Sequence, residues 1–369
     1  MGPMPTPRPA PPGRLISLDA FRGMTVALMI LVNNPGDWTH VYWPFLHAPW
    51  HGWTPTDLVF PFFLFIVGVA IPFSRRGTAG QALRRGAVLF GLGLFMAAYP
   101  TFDLSTVRIP GVLQRIAVCY VAAWLVHRAR RPWVEAAAAG GLLAAYCVVM
   151  TRVTVPGGLP PNLEPETNLG AWLDRALMAG HLWRQSKTWD PEGLLSTLPA
   201  IATTLFGVLA GRWVKRDAPS PTARAAVLMG AGLVLTVAGL AWGRTFPINK
   251  NLWTPSYVVL TAGLAAYFFA ALFWIADVRG HGRWTRPFVI YGVNAILVFV
   301  ASGLVAKTLA RIEIPTAAGA MPLPLWLCRN VFGTWLAPHA ASLAYAVTNV
   351  AAWFAVLRFL DRRGIHWKV

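Results

Sequence analysis

Acidic residues are scarce in this chain: 14 Asp and Glu stand against 32 Lys and Arg, and charged residues of both signs fill only 12% of the 369 positions. Soluble domains carry about a quarter of their residues as charges, so an ordinary water-facing surface is excluded. Cysteine is scarce as well. Cys119, Cys147 and Cys328 are scattered through apolar sequence without C-x-x-C spacing, which excludes a disulfide scaffold and a zinc or redox motif and leaves buried thiols as the expectation. There is no Gly-rich phosphate loop and no internal repeat, and no small-residue cleavage site follows a compact apolar core near the start, so no signal peptide is expected.

What fills the space is apolar. Hydrophobic residues make up 56% of the chain, Trp occurs 18 times, and the mean hydropathy is +0.51. A hydrocarbon core of about 30 Å takes roughly 20 apolar residues per helical crossing, and such windows recur along the whole chain. They predict an all-α integral membrane protein of about ten transmembrane helices, over 17–33, 56–73, 86–99, 112–126, 135–150, 194–214, 223–242, 255–276, 288–305 and 340–359. Residues 1–14 read as a Pro-rich, disordered cytoplasmic tail, and 15–369 as a single transmembrane domain.

Orientation follows from Lys and Arg. Clusters at Arg75/Arg76, Arg84/Arg85, Arg128/Arg130/Arg131, Arg212/Lys215/Arg216, Arg283/Arg286 and Arg358/Arg362/Arg363 flank every second loop, which places both termini in the cytoplasm. The net charge of +18 raises nucleic acid as a partner, but the charge lies in short clusters beside apolar segments and not in one basic domain, so positive-inside anchoring is the better account.

Against that background HAPWHGWTPTDLVFPFF, residues 47–63, is anomalous: His47, His51 and Asp57 stand at the outer mouth of the second span, where desolvation of charge is costly. The preceding loop adds Asp37 and His40 and has no Lys or Arg. Histidine takes and returns a proton near neutrality. Zinc is the other meaning of a histidine cluster, but H-x6-H-x3-H in a Trp- and Pro-rich loop is not a compact ligand set, and no metal is expected. Asp57 needs a partner, and Arg115, at a similar depth in the fourth span, is the candidate. Asp19 and Arg22 read as a structural i, i+3 pair. The long polar segment 151–193 carries Glu164, Glu166, Asp174, His181, Asp190 and Glu192 with Trp172, Trp183 and Trp189, side chains able to stack on a sugar or to anchor at the membrane interface.

Six segments carry a resemblance: SLDAFRGMTVALMILVN, LHAPWHGWTPTDLVFPFFLFIVG, VRIPGVLQRIAVCY, DPEGLLSTLPAI, PINKNLWTPSYV and PFVIYGVNAILVF. In order and in idiosyncratic detail the sequence resembles heparan-α-glucosaminide N-acetyltransferase and its bacterial relatives. The resemblance implies acetyl transfer from cytoplasmic acetyl-CoA to the amine of a glucosamine-type sugar on the outer side. Matching the family's motifs, His47 would be the catalytic histidine and Asn33 the asparagine beside the acetyl group. The intervening NPGDWTHVYWPFL departs from the family pattern, and the family's lumenal N-terminal domain and first helix have no counterpart here, so recognition of a long sulfated glycan is not implied.

The residues fit that chemistry. His47 can act as general base and Asn33 can supply an oxyanion donor. Asp57, Arg115 and His51 would support them. Asn249 and Lys250 would touch the acceptor. Arg75, Arg76, Arg84, Arg85, Arg283 and Arg286 would hold the CoA phosphates, with no metal. The partners expected are acetyl-CoA, an amino sugar and membrane lipid, without nucleic acid; a homodimer is compatible, and the membrane expected is a bacterial inner membrane. Rival classes are a sugar transporter or flippase, which should show inverted repeats, and an O-acetyltransferase of envelope polysaccharide.

Overall fold

The computed structural model describes residues 15–74, 77–317 and 319–367; the expected N-terminal tail, Arg75 and Arg76 lie outside these. The elements in chain order are α1 (Ile16–Asn33), α2 (Val59–Ala70), α3 (Ala79–Ala98), α4 (Val112–His127), α5 (Pro132–Arg152), α6 (Leu169–Met178), α7 (Thr197–Val214), α8 (Pro221–Trp242), α9 (Pro255–Leu272), α10 (Arg286–Val293), α11 (Ala295–Leu309), the hairpin β1 (Glu313–Thr316) and β2 (Gly319–Pro322), α12 (Leu323–Leu327) and α13 (Pro338–Arg362). The hairpin pairs antiparallel, Glu313 opposite Pro322.

The chain is an all-α integral membrane protein. Among the described residues seven helical segments are each long and apolar enough to cross a membrane, and the α10–α11 pair, bent by 67°, would make an eighth. The other two expected spans are helices of a different quality. Arg84 and Arg85 near the start of α3 dilute its hydropathy, and α4 has only 16 residues. Length and composition therefore establish fewer crossings than the ten expected.

Four of the spans form the centre. Between 61% and 72% of the positions in α1, α7, α9 and the segment containing α2 are buried, against 22% to 28% in α5, α8 and α13, whose remaining apolar faces are turned outward, as lipid requires. The central helices meet in backbone contact. A Cβ added at Gly68 of α2 would lie 2.0 Å from the Thr204 carbonyl oxygen of α7, and one at Gly207 would lie 2.0 Å from that of Phe65. Small residues at such crossings let backbones approach closely. Gly23 of α1 and Gly292 of α10 do the same for that pair.

Helix ends are satisfied locally and at long range. Pro occupies the first turn of α5, α8, α9 and α13, where its missing N–H costs no hydrogen bond. At α1 the free amides of Ile16 and Ser17 donate to the carboxylate of Asp277, at 2.8 and 3.0 Å, so a residue beyond α9 caps the first helix. Helices α2, α7 and α9 run parallel to one another and α1 antiparallel to them, since Lys215 after α7 reaches the Pro72 carbonyl after α2 and Asp277 after α9 caps the start of α1, which separates two ends of the bundle. One carries the start of α1 and the clusters Arg128/Arg130/Arg131 and Arg212/Lys215/Arg216; the other carries His47.

Candidate active site

The site is built where the loop after α1 folds back on the entry to α2. Thr54 and Asp57 form a capping box over the short 3-10 turn Pro55–Leu58 that leads into α2, the arrangement in which cap and third residue satisfy each other's amides. Asp57 is thereby fixed. Its Oδ2 accepts from the Thr54 amide at 3.0 Å and the Ala48 amide at 3.1 Å, and its side chain is 1% exposed. The remaining oxygen, Oδ1, lies 2.7 Å from His47 Nδ1, while the imidazole itself is 50% exposed. A buried, immobile carboxylate thus holds one nitrogen of a histidine ring that faces the outside. Tyr257 of α9 donates its hydroxyl to the Asp57 carbonyl and ties the turn to the core.

Lys250 comes from the turn before α9. Its Nζ is 3.1 Å from His47 Nδ1, 3.3 Å from Nε2 and 3.8 Å from Asp57 Oδ1. An ammonium nearly equidistant from both ring nitrogens cannot lie on the in-plane axis of either. It stands over the ring, and the in-plane direction of Nε2 has no protein partner among the described residues. Burial pushes the Lys250 ammonium below its ordinary pKa, against the pull of Asp57 and Glu192.

The same turn fixes the histidine loop from below. The Gly52 amide donates to the Ile248 carbonyl at 2.8 Å, Asn249 Oδ1 accepts from the Leu252 amide at 2.9 Å, and Asn249 Nδ2 lies 3.3 Å from His51 Nδ1. Asn249 is fully buried and its amide is engaged on both sides. An acceptor hydroxyl could reach it only by displacing His51.

The expected Asp57–Arg115 pair does not form. Arg115 of α4 is buried; its Nη2 donates to the Gly193 carbonyl at 3.0 Å and to the Ser196 hydroxyl, and its guanidinium lies 5.1 Å from the Trp253 ring centre. Depth along the membrane matched, but Arg115 is aimed at the start of α7, while Asp57 is already taken by the loop folded over it. Arg115 Nε and Nη1 have no partner among the described residues.

Next to Arg115 stands an ion cluster that sequence reasoning had not assembled. Arg108 donates Nε to Asp190 Oδ2 at 2.8 Å and Nη2 to Asp190 Oδ1 at 2.5 Å, and also reaches Glu192. All three lie in segments that carry the family resemblance, Arg108 in VRIPGVLQR and Asp190 and Glu192 in DPEGLLSTLPAI, which is the available signal. Burial works against the Glu192 carboxylate, but Arg108, Arg115 and Lys250 outweigh it and hold its pKa below the ordinary value. Asp174 of α6 has no such partner at bonding distance; burial pushes it up to about 6, although it accepts the Leu194 amide at 2.9 Å. Trp50, Trp183 and Trp189 form one aromatic group beside it, with ring centres 5.1 Å apart for Trp50–Trp189 and 5.5 Å for Trp183–Trp189.

The other expected site residues lie apart. Asn33 ends α1 with its side chain exposed, and no hydrogen bond joins it to His47. Asp37 and His40 belong to a separate cluster with Arg329. Arg84, Arg85, Arg283 and Arg286 are exposed at the far end of the bundle, Arg85 over the Tyr120 ring. Among the described residues no group of three or more His, Cys, Asp and Glu side chains is placed to hold a metal ion.

A family model described as heparan-alpha-glucosaminide N-acetyltransferase, catalytic, matches residues 14–239. The human heparan-alpha-glucosaminide N-acetyltransferase is 29% identical over 424 residues, covering 97% of this chain and 60% of its own length. The mouse protein of the same name is 31% identical over 362 residues, covering 80% of this chain and 54% of its own length. The chain thus spans little more than half the length of these relatives. Since the family model covers more than half of its residues, the chain belongs to the heparan-alpha-glucosaminide N-acetyltransferase family.

Proposed function

We propose that the chain is a membrane-embedded acetyltransferase that passes an acetyl group from acetyl-CoA, bound at the basic end of the bundle, to the amine of a glucosamine-type sugar at the His47 end. The observation that carries this reading is the 2.7 Å contact of His47 Nδ1 with the immobilised Asp57. The names of the two mammalian relatives and the basic clusters at the opposite end support it.

In the overall reaction an amine N–C bond replaces the thioester C–S bond, and the proton lost by the amine ends on the CoA sulfur. His47 handles that proton. Asp57 accepts the Nδ1–H and fixes the tautomer in which Nε2 carries the free lone pair, directed outward, where the acceptor stands. As the ring becomes imidazolium, the Asp57 carboxylate 2.7 Å away stabilises it. The developing oxyanion would be met by the ammonium of Lys250, which stands at His47, while a role for the amide of Asn33 rests on the family motif alone. The Trp50–Trp189 group beside His51 offers the aromatic wall on which sugar rings stack.

The donor side is the basic end, where Arg84, Arg85, Arg283 and Arg286 are free to meet phosphates. On the path proposed between it and His47, among α1, α2, α4 and α11, lies a small apolar gap of about 10 Å³ lined by Met29, Phe63, Leu113, Ile116 and Phe299, which would have to widen to take the pantetheine arm. The α10–α11 break lies beside it, at Asn294, whose buried Nδ2 has no partner among the described residues. Broken helices of this kind line ligand paths in membranes. The topology that goes with this reading has ten crossings and both termini in the cytoplasm, supported by the basic clusters, with a bacterial inner membrane as the membrane proposed.

The test is acetyl transfer from labelled acetyl-CoA to glucosamine by the purified chain. His47→Ala should cut turnover by about 10²-fold or more while leaving the chain folded, and His51→Ala should cut it less. Near-normal turnover of His47→Ala would refute the assignment. Label released from the product by mild alkali would identify an ester and turn the reading to O-acetylation.

A further inference from the structure

At the basic end of the bundle, away from the donor path, lies an open cavity of about 660 Å³ between the ends of α2, α4, α5 and α7. Its walls include Arg212, Lys215, Arg216 and His127, with Pro72 and Trp213 as apolar surface. The volume lies within the usual range for small-molecule sites, about 300–1,000 Å³. No residue of the acetyl-transfer site contributes to it.

The cations are organised by a buried carboxylate. Glu135, at the start of α5 and fully buried, accepts from Arg212 Nε at 2.7 Å and lies 2.6 Å from His127 Nδ1. This pairing fixes Arg212 through Nε and leaves both of its Nη groups without a protein partner among the described residues, on a residue that lines the cavity. Lys215 donates to the Pro72 carbonyl, which holds its ammonium at the cavity wall, and the exposed Arg216 stacks at 5.1 Å on Trp213. One buried acid thus stands among three permanent cations and a histidine. The surplus is positive, and the free donors are the fork of an arginine, which suits a phosphate.

The cavity does not connect to His47. The seam above it is closed where α2 and α7 cross: added Cβ atoms at Gly68, Gly207 and Gly211 would lie 2.0, 2.0 and 2.5 Å from carbonyl oxygens of the facing helix. A pantetheine arm has no passage through backbone in contact. Its other route, the apolar gap among α1, α2, α4 and α11, lies on the opposite side of α2. A phosphate bound among Arg212, Lys215 and Arg216 therefore does not belong to a donor reacting at His47.

We propose that this cavity is a binding site for the phosphate head group of an anionic phospholipid of the surrounding leaflet, held by Arg212, Lys215 and Arg216 with its acyl chains descending along the outward apolar face of α5. The ligand is within reach because the cavity opens at the end of the bundle where basic residues gather, at the level of the head groups, and basic pockets between transmembrane helices recognise such lipids. The site requires only that the chain spans a membrane, so it stands or falls separately from acetyl transfer.

The test uses the full chain in nanodiscs of phosphatidylcholine alone or of phosphatidylcholine with phosphatidylglycerol, with thermal unfolding as readout and native mass spectrometry to count retained lipid. Phosphatidylglycerol should raise the Tm and be retained. Arg216→Glu should weaken retention about fivefold or more, Arg216→Lys should largely keep it, and Arg358→Glu, a charge reversal at the same end but outside the cavity, should leave it unchanged. Each variant is first melted in phosphatidylcholine alone, where a Tm equal to that of the parent shows that the fold is intact; should Arg216→Glu fail this, Lys215→Gln takes its place. No stabilisation beyond phosphatidylcholine, undiminished retention in the cavity variant, or an equal loss in Arg358→Glu would overturn the site. Inorganic phosphate or 3′,5′-ADP giving the same Tm rise at comparable concentration would assign the cavity to soluble phosphate compounds and overturn the lipid.

Discussion

Lys250 stands over the ring of His47, its Nζ 3.1 Å from Nδ1 and 3.3 Å from Nε2, although 203 residues of sequence separate the two. The two side chains share one carboxylate, since Asp57 Oδ1 is 2.7 Å from His47 and 3.8 Å from Lys250. The arrangement resembles a base with its orienting acid and an added cation at the place where negative charge would develop. Lys250→Met tests that added cation. The fold should survive, because Asp57 keeps its bonds to Ala48, Thr54 and His47. The kcat for acetyl transfer should fall about 10²-fold, the scale of losing one oxyanion donor, with KM nearly unchanged. A rise in KM at constant kcat would instead make Lys250 an acceptor-binding residue.

Asp57→Asn is the sharper test of the orienting acid. The new side chain can still accept from the Thr54 and Ala48 amides through its oxygen, so the capping turn should persist. Its nitrogen would then face His47 Nδ1 and donate to it, which forces the proton onto Nε2 and removes the outward lone pair. Turnover should drop about 10²- to 10⁴-fold with little change in Tm. Retained activity together with an intact Tm would show that the histidine works without the carboxylate.

Asp174 makes stability depend on pH. Folding raises this carboxyl to about 6 by burying it, so the native chain keeps a proton that the unfolded chain, near 3.8, has lost. Its contribution to stability falls as pH rises from about 4 to about 6 and is constant above that. Asp174→Asn keeps an acceptor for the Leu194 amide and removes the titration. The difference in unfolding free energy, variant minus parent, should be flat below about pH 4, grow toward pH 6 and then level off at no more than about 3 kcal/mol in favour of the variant, with the Tm difference following the same course. A difference independent of pH would mean that the buried carboxyl does not titrate there.

How far the sequence reaches is visible at particular residues. All ten apolar windows are helices, because a 20-residue apolar run in a chain this poor in charge has no other stable form in lipid. The bend at Asn294 was not legible, since PFVIYGVNAILVF is apolar on both sides of one asparagine and reads as continuous. Helix α6 was hidden in a polar segment, although Asn168 before LGAWLDRALM is a sound N-cap, its side chain accepting from the Ala171 amide. At the site, pairing by membrane depth chose Arg115 for Asp57. The local signal was stronger: T-x-x-D at Thr54–Asp57 is a capping box, and a chain that turns there brings His47 back onto the acid ten residues on. Lys250 at His47 and Arg108 at Asp190 are tertiary meetings that no spacing encodes.

Topology remains the relationship on which donor and acceptor sides depend, and it can be read without activity. Cys119 and Cys328 are buried and Cys147 is partly so, so a cysteine-free parent is the right background for two single probes. Trp38→Cys replaces a side chain that is 65% exposed in the loop leading to His47. Asp217→Cys replaces an exposed residue in the loop between α7 and α8, at the end carrying Arg212, Lys215 and Arg216. Neither side chain caps a helix, so both variants should fold as the parent does. In intact cells a membrane-impermeant maleimide should label Trp38→Cys and not Asp217→Cys, while after permeabilisation both should label. The reverse pattern would put His47 in the cytoplasm, where acetyl-CoA and acceptor would meet on one side and the apolar gap beside α11 would have no donor to carry. Equal labelling of both before permeabilisation would contradict the parallel course of α2 and α7, which puts the start of α2, next to the Trp38 loop, and the end of α7, next to Asp217, at opposite ends of the bundle.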